Sequence, residues 1–186
     1  MAIPVPMELV EAARAGGPLQ IEQLVEAVWP DAYRLARAIL GERQGAEDAA
    51  QEACIILYRS IATLRSSAAF RVWFYRIVVR EASDLKRRRS QSEPISETLS
   101  SRTEQTESID VWRALSVLPQ HLRDVVVLRY FEDLSSREIG FVLGIPDATV
   151  RFHLAIARRR LRPLLDDYPP QFTHAANEER TNAIGL

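Results

Sequence analysis

Arg151, Arg158, Arg159, Arg160 and Arg162 crowd into the last twelve residues of EIGFVLGIPDATVRFHLAIARRRLR (138–162), and no acidic residue lies between Thr149 and Pro163. Guanidinium groups stay charged and present a planar fork of donors, which suits phosphate oxygens and guanine edges rather than bond-making chemistry. Such a cluster is either a solvated helix face or a surface for nucleic acid. Placed at 100° steps, Val150, Leu154, Ala157, Leu161 and Leu164 share one arc, and Arg151, Arg158, Arg159 and Arg162 fall opposite it. Thr149, Arg151 and Phe152 occupy the first turn, the part of a recognition helix that reaches base edges. The later arginines suit phosphates, which position a protein without reading sequence. One-sided basicity with no interspersed acid favours DNA contact over a solvated face.

A second basic pattern lies in FRVWFYRIVVREASDLKRRR (70–89). Phe70, Trp73, Phe74, Ile77, Val78 and Leu85 form an apolar side, while Arg76, Arg80, Ser83 and Arg87 recur at helical spacing along another. Arginines beside aromatic faces suit single-stranded nucleic acid, the cations following the backbone and the rings receiving bases. Phe70, Phe74 and Ile77 read as core; Trp73 and Tyr75 fit either role. The helix before it, centred on EDAAQEACIILYR, would bury Ala49, Ala50, Ala53, Ile56 and Leu57. That leaves Asp48, Gln51, Glu52 and Arg59 outward, with Ile55 among them, an arrangement that suits a protein partner.

No catalytic constellation accompanies these faces. His121, His153 and His174 are scattered, and with the single Cys54 they give no metal-ligand spacing. There is no glycine-rich phosphate loop and no serine-nucleophile signature. The expectation is a protein that is not an enzyme and carries neither cofactor nor metal.

The elements that must position these residues are helical. The 186 residues contain seven glycines and no long apolar–polar alternation, which favours an all-α chain over a sheet. A net charge of −1 hides segregation: residues 1–89 hold 13 basic and 11 acidic side chains, and 111–165 hold nine and five. Between them, 90–110 (SQSEPISETLSSRTEQTESID) holds one basic and five acidic residues and too few apolar ones to offset the entropy of ordering. The reading is therefore two small helical domains, 1–89 and 111–168, joined by a flexible linker at 90–110 and followed by a disordered tail at 169–186. Helices are expected from Pro6 to Gly16, Pro18 to Leu40 with Pro30 as a bend or break, Ala46 to Leu64 and Ala69 to Arg89. In the second block DVWRALSVL is followed by a helix opened by Pro119. Ser135 then caps a helix with Glu138 completing a capping box, Gly144 ends it, and IPDAT turns into the arginine-rich helix. Two helices about a glycine-containing turn, the second basic, make a helix-turn-helix pattern. No secretory leader and no apolar run of about 20 residues is present, so a cytoplasmic protein without membrane insertion is expected.

In this order AYRLARAILGERQGAEDAAQEACIILYRSI, AFRVWFYRIVVREASDLKRRR and ALSVLPQHLRDVVVLRYFEDLSSREIGFVLGIPDATVRFHLAIARRRL resemble an extracytoplasmic-function sigma factor of bacterial RNA polymerase. The resemblance covers about residues 8–165 and implies sigma region 2 (1–89) and region 4 (111–168), both helical. It implies that Asp48, Gln51, Glu52 and Ile55 dock on the β′ clamp helices of core polymerase. Arg65, Ser66, Phe70, Trp73, Arg76, Arg80, Ser83 and Arg87 would bind and melt the minus-ten element, holding a flipped non-template base. Ser136, Thr149, Arg151, Phe152, His153, Arg158, Arg159 and Arg162 would meet the minus-thirty-five element, with region 4 also touching the β flap. An anti-sigma factor is the implied regulator. Three departures stand out: Arg80 where the family usually has Asn, Phe152 and His153 where Ser and Arg are commoner, and Cys54 at a usually aromatic or apolar position. A longer cation at 80 should favour backbone phosphate over a base edge.

Two other readings stand beside this one: a free-standing helix-turn-helix regulator, and an interaction module that keeps the fold without promoter function. The linker's roughly 20 residues reach about 70 Å at full stretch and average about 25 Å as a coil. The blocks are therefore expected to move independently, to fold back on one another in the free chain, and to need opening for promoter recognition.

Overall fold

The computed structural model describes residues 5–92, 114–115 and 117–165, and every regular element among them is helical. The part beyond Ser92 of the linker expected at 90–110, most of DVWRALSVL and the tail lie outside the described residues. In the first block α1 (Met7–Arg14), α2 (Pro18–Leu40), α3 (Arg43–Ser60) and α4 (Phe70–Ser92) follow one another, with single 3-10 turns at Ile61–Thr63 and Ser67–Ala69 between the last two. The second block contains α5 (Gln120–Tyr130), α6 (Ser136–Leu143) and α7 (Asp147–Leu165).

α2 is the centre of the first block and packs against α1, α3 and α4. Leu24, Val28, Leu35 and Ile39 recur along its inner stripe and are buried. Facing it, α3 offers Ala46, Ala49, Ala50 and Ala53, all buried. Such small side chains let two helix axes approach closely. Leu57, Phe74 and Val78 close the core, each burial stabilising by about 1.5–3 kcal/mol.

Pro30 neither breaks nor ends α2, which runs unbroken through it. The proline is exposed, so the Glu26 carbonyl it leaves without a donor lies on the solvent side. Buried residues on both sides of it, Val28, Asp31, Ala32 and Leu35, hold the helix together. Three boundaries differ from expectation, one being the end of α3 at Ser60 rather than Leu64, where a 3-10 turn takes over at Ile61. Gly41 caps α2 in the left-handed region (φ 78°), Glu42 is extended, and α3 restarts at Arg43 rather than Ala46. Gly45 is a buried helical residue against Glu42 and the Arg89 guanidinium. α4 continues to Ser92, past the linker's expected start at 90, because neither Gly nor Pro interrupts it.

In the second block Ser135 and Glu138 form the reciprocal capping box, and Gly144 (φ 69°) ends α6. α5 is short yet buried over four consecutive residues, Val125 to Leu128. An all-round apolar helix needs cover on both sides. α7 covers one side and α2 of the first block the other, while α6 lies against α4. The two blocks are therefore packed together in this conformation, not held apart.

At this junction Asp124 of α5 is desolvated, and its carboxyl is pushed up to about 6 even though Gln120 donates to it at 2.6 Å and Lys86 and Arg123 stand nearby. The folded chain then binds this proton more tightly than the unfolded chain, so stability falls as pH rises from about 4 to 6. Asp124→Asn should raise the unfolding free energy at pH 7.5 by roughly 1–2 kcal/mol, seen as a higher urea midpoint, and flatten that slope. A midpoint lowered at pH 7.5 would contradict this reading.

Candidate nucleic-acid interface

α6 and α7 meet at a bend of 104° over a three-residue turn, within the range of a helix-turn-helix. The turn is tight: a Cβ at Gly140 would stand 2.7 Å from the Ile145 carbonyl oxygen. Val150, Leu154, Ala157 and Leu161 are buried as expected, which fixes the rotation of α7 and turns its basic face outward. Arg151, Phe152, Arg158, Arg159 and Arg162 are exposed, whereas Ser136 and Thr149 are half-buried. Phe152 is 63% exposed in the first turn, an apolar ring standing open where base edges would arrive.

Two contacts hold arginines of this face in place. Arg151 Nη1 donates to Asp147 Oδ2 at 2.6 Å, one turn earlier, and this partner holds the Asp147 carboxyl below its ordinary range. Arg151 thus has an acidic neighbour, lying just before the acid-free window. Arg158 Nε donates to the Tyr130 hydroxyl at 2.9 Å, tying the guanidinium to α5. His153 behaves differently from the residues beside it. It is half-buried, its Nδ1 has no hydrogen-bond partner, and its ring meets His121 edge-on at 5.0 Å. Burial first, and then His121, lower its affinity for a proton.

On α4, Arg76, Arg80, Ser83 and Arg87 form the exposed stripe that the spacing implied. Asp84 threads it, 3.0 Å from Arg87 and 3.9 Å from Arg80. Arg65 and Ser66 are exposed in the loop that leads in. Phe70 is 5% exposed and stacks on Phe74 with centroids 5.9 Å apart, so here it is core and offers no open face. Tyr75 is core as well, whereas Trp73 is half-buried.

On α3, Asp48, Gln51 and Glu52 are exposed. Ile55 is half-buried rather than exposed, and Ile56 is half-buried rather than core, so the apolar arc is rotated from the expected one. A shallow depression between α3 and α4 adds Glu81, Leu85 and Arg88 to Asp48 and Glu52. Burial and the neighbouring Asp84 raise the Glu81 carboxyl. Sequence periodicity treated each helix separately and so missed Glu81, Tyr130 and Asp147.

A basic helix-turn-helix, a second arginine-striped helix and an acidic helix face define a two-block helical DNA-binding factor; among the described residues no single helix is long and apolar enough to cross a membrane. Sequence comparison makes the class specific. The profile of Sigma-70 region 2 matches residues 24–92, and that of Sigma-70 region 4 matches residues 108–161. The chain is 34% identical over 164 residues to the ECF RNA polymerase sigma factor SigM of Mycobacterium tuberculosis, covering 85% of this chain and 83% of that one. It is 31% identical over 137 residues to the RNA polymerase sigma factor SigV of Bacillus subtilis, covering 71% and 82%. Its fold is similar to that of CnrH, solved with the cytosolic domain of CnrY, at TM-score 0.66 and 24% identity over 88% of this chain and 98% of that one. It is also similar to the sigma factor RpoE of Bartonella quintana, solved with the anti-sigma factor NepR, at TM-score 0.67 and 19% identity over 80% and 98%. The chain belongs to the extracytoplasmic-function sigma factors. It is a sigma factor of RNA polymerase that directs transcription initiation at promoter DNA, and a free-standing regulator is not favoured.

The division of labour expected on α7 can be measured. Arg151→Ala should weaken binding to a minus-thirty-five duplex in a sequence-dependent way, by about 1–3 kcal/mol on the preferred sequence. Arg159→Ala and Arg162→Ala should weaken all sequences alike and lower the salt slope by about one each. Identical behaviour of the three variants would refute the split between reading and positioning.

Proposed function

We propose that residues 1–89 act as region 2 and 111–168 as region 4, with 90–110 spanning between them and 169–186 outside both. Within region 2, the exposed face of α3 meets the β′ clamp helices through Asp48, Gln51 and Glu52, with Ile55 at its edge. The α4 stripe of Arg76, Arg80, Ser83 and Arg87, with Trp73 and the loop residues Arg65 and Ser66, engages the minus-ten element. Phe70 supports that face from the core. The Arg80 side chain, 78% exposed, takes a backbone phosphate where the family's amide would read a base. In region 4 the first turn of α7 reads the minus-thirty-five major groove through Thr149, Arg151 and Phe152. Arg158, Arg159 and Arg162 grip phosphates, Ser136 and His153 support that surface, and the outer side meets the β flap.

The single observation that carries this reading is the separation of faces: the arginine stripes of α4 and α7 point to solvent, while the carboxylates of α3 occupy a face of their own. Strand opening is driven by binding energy, so the chain is not an enzyme and needs no cofactor. It works in the cytoplasm, and the complexes of CnrH and RpoE support an anti-sigma factor as its partner in the resting cell.

The α3 assignment gives the decisive test. Asp48→Lys with Glu52→Lys sets like charges against a basic partner, at an expected loss of several kcal/mol. The helix should survive, because the buried alanines and Leu57 lie on its other side. Gel filtration with core polymerase should give a complex for the wild type and none for the double variant. A retained complex in the double variant would remove α3 from the interface.

A further inference from the structure

Glu132 lies just beyond the end of α5 and is wholly buried, at 0% exposure, yet both side chains that hold it belong to the other block. The Tyr75 hydroxyl of α4 donates to Oε2, and Arg34 Nη2 of α2 lies 3.4 Å from Oε1 while holding Asp31 at 2.7 Å. Burial, and next the Glu132 charge, raise the Tyr75 phenol well above its ordinary range, so it remains a donor. Around this seat Lys86 of α4 donates to Gln120 of α5, and the Arg76 guanidinium stands 4.7 Å over the Phe141 ring of α6. Arg76 belongs to the basic stripe of α4, so region 4 occupies part of the surface that promoter DNA needs.

Geometry makes the conflict general. Elements centred at minus ten and minus thirty-five are about 25 base pairs apart, which is roughly 80 Å along B-DNA. A chain whose α6 lies on α4 cannot reach both. We propose that the packed arrangement is an autoinhibited closed state latched by Glu132 in the Arg34–Tyr75 seat, and that core polymerase captures the open state. The functional consequence rests on the region 2 and region 4 roles given above; the closure itself does not.

The seat is built to release. The Arg34 contact is long, Arg34 Nε is buried without a partner, and opening returns the Glu132 carboxylate to water. A buried ion pair gains little net stability because desolvation offsets attraction, yet removing one partner leaves the other stranded. If one molecule in ten is open, apparent affinity for polymerase is lowered about tenfold.

Energy transfer between dyes on Glu22→Cys and Arg160→Cys reads the closure in the full-length chain without polymerase. Both positions are exposed, whereas native Cys54 is buried with its thiol pushed up to about 11, and stays unlabelled. The wild-type chain should show a dominant high-transfer population. Glu132→Lys and, independently, Tyr75→Phe should shift it to low transfer with helical circular dichroism unchanged, and Glu132→Lys should bind core polymerase about tenfold more tightly. Low transfer in the wild type, or wild-type transfer in either folded variant, overturns the latch. Loss of polymerase binding by every form, with the transfer change intact, would instead overturn the sigma assignment of the interfaces.

Discussion

A carboxylate removed from water must find a cation or strong donors, or it forces its surroundings apart. Glu132 finds them only across the junction between the two blocks, on Tyr75 and Arg34. Much of the remaining architecture follows from that requirement. α2 keeps Asp31 and Arg34 on one face, one helical turn after Val28, so the same helix that organises the first core also presents the seat. Val125 to Leu128 are apolar all round because α5 lies between α7 and α2. Arg129 donates to the Leu134 carbonyl at 3.1 Å, bracing the loop that carries Glu132.

The exposed arginines depend on similar, weaker constraints. A long side chain loses rotamer freedom when it binds, and a neighbour that restrains it beforehand lowers that loss. Asp147 does this for Arg151, Tyr130 for Arg158, and Asp84 for Arg80 and Arg87. These exposed pairs add little to folding stability. Their effect is on direction: they restrain these cations on the exposed faces of α4 and α7. Arg159 and Arg162 stand exposed beyond them on the same face of α7.

Local chemistry made most of the fold legible. Gly41 and Gly144, the Ser135–Glu138 capping box and the apolar arc of α7 are interactions within a turn or two, and each appears where its residues imply. The α4 stripe and the carboxylates of α3 follow for the same reason, since periodicity fixes which face a residue occupies. Contacts between distant segments were not legible. Nothing in the local sequence of Glu132 separates it from a surface acid, and Tyr75 fitted base stacking as well as burial. Phe70 sits at the start of α4 among aromatics that share its spacing, and only its stack on Phe74 assigns it to the core. Pro30 weakened the expectation for α2 because sequence alone does not reveal that it faces solvent.

The chain contains one lysine, Lys86, and the structure sets its ammonium at Gln120, whose amide in turn donates to the Asp124 carboxyl of the other block. Zero-length coupling of amine to carboxylate, read by peptide mass spectrometry, therefore reports the junction at a single site. The account predicts a Lys86–Asp124 link in the free chain and its loss once the chain is assembled on core polymerase. No such link in the free chain, or a link that persists in the assembled complex, would contradict a factor that rests closed and works open.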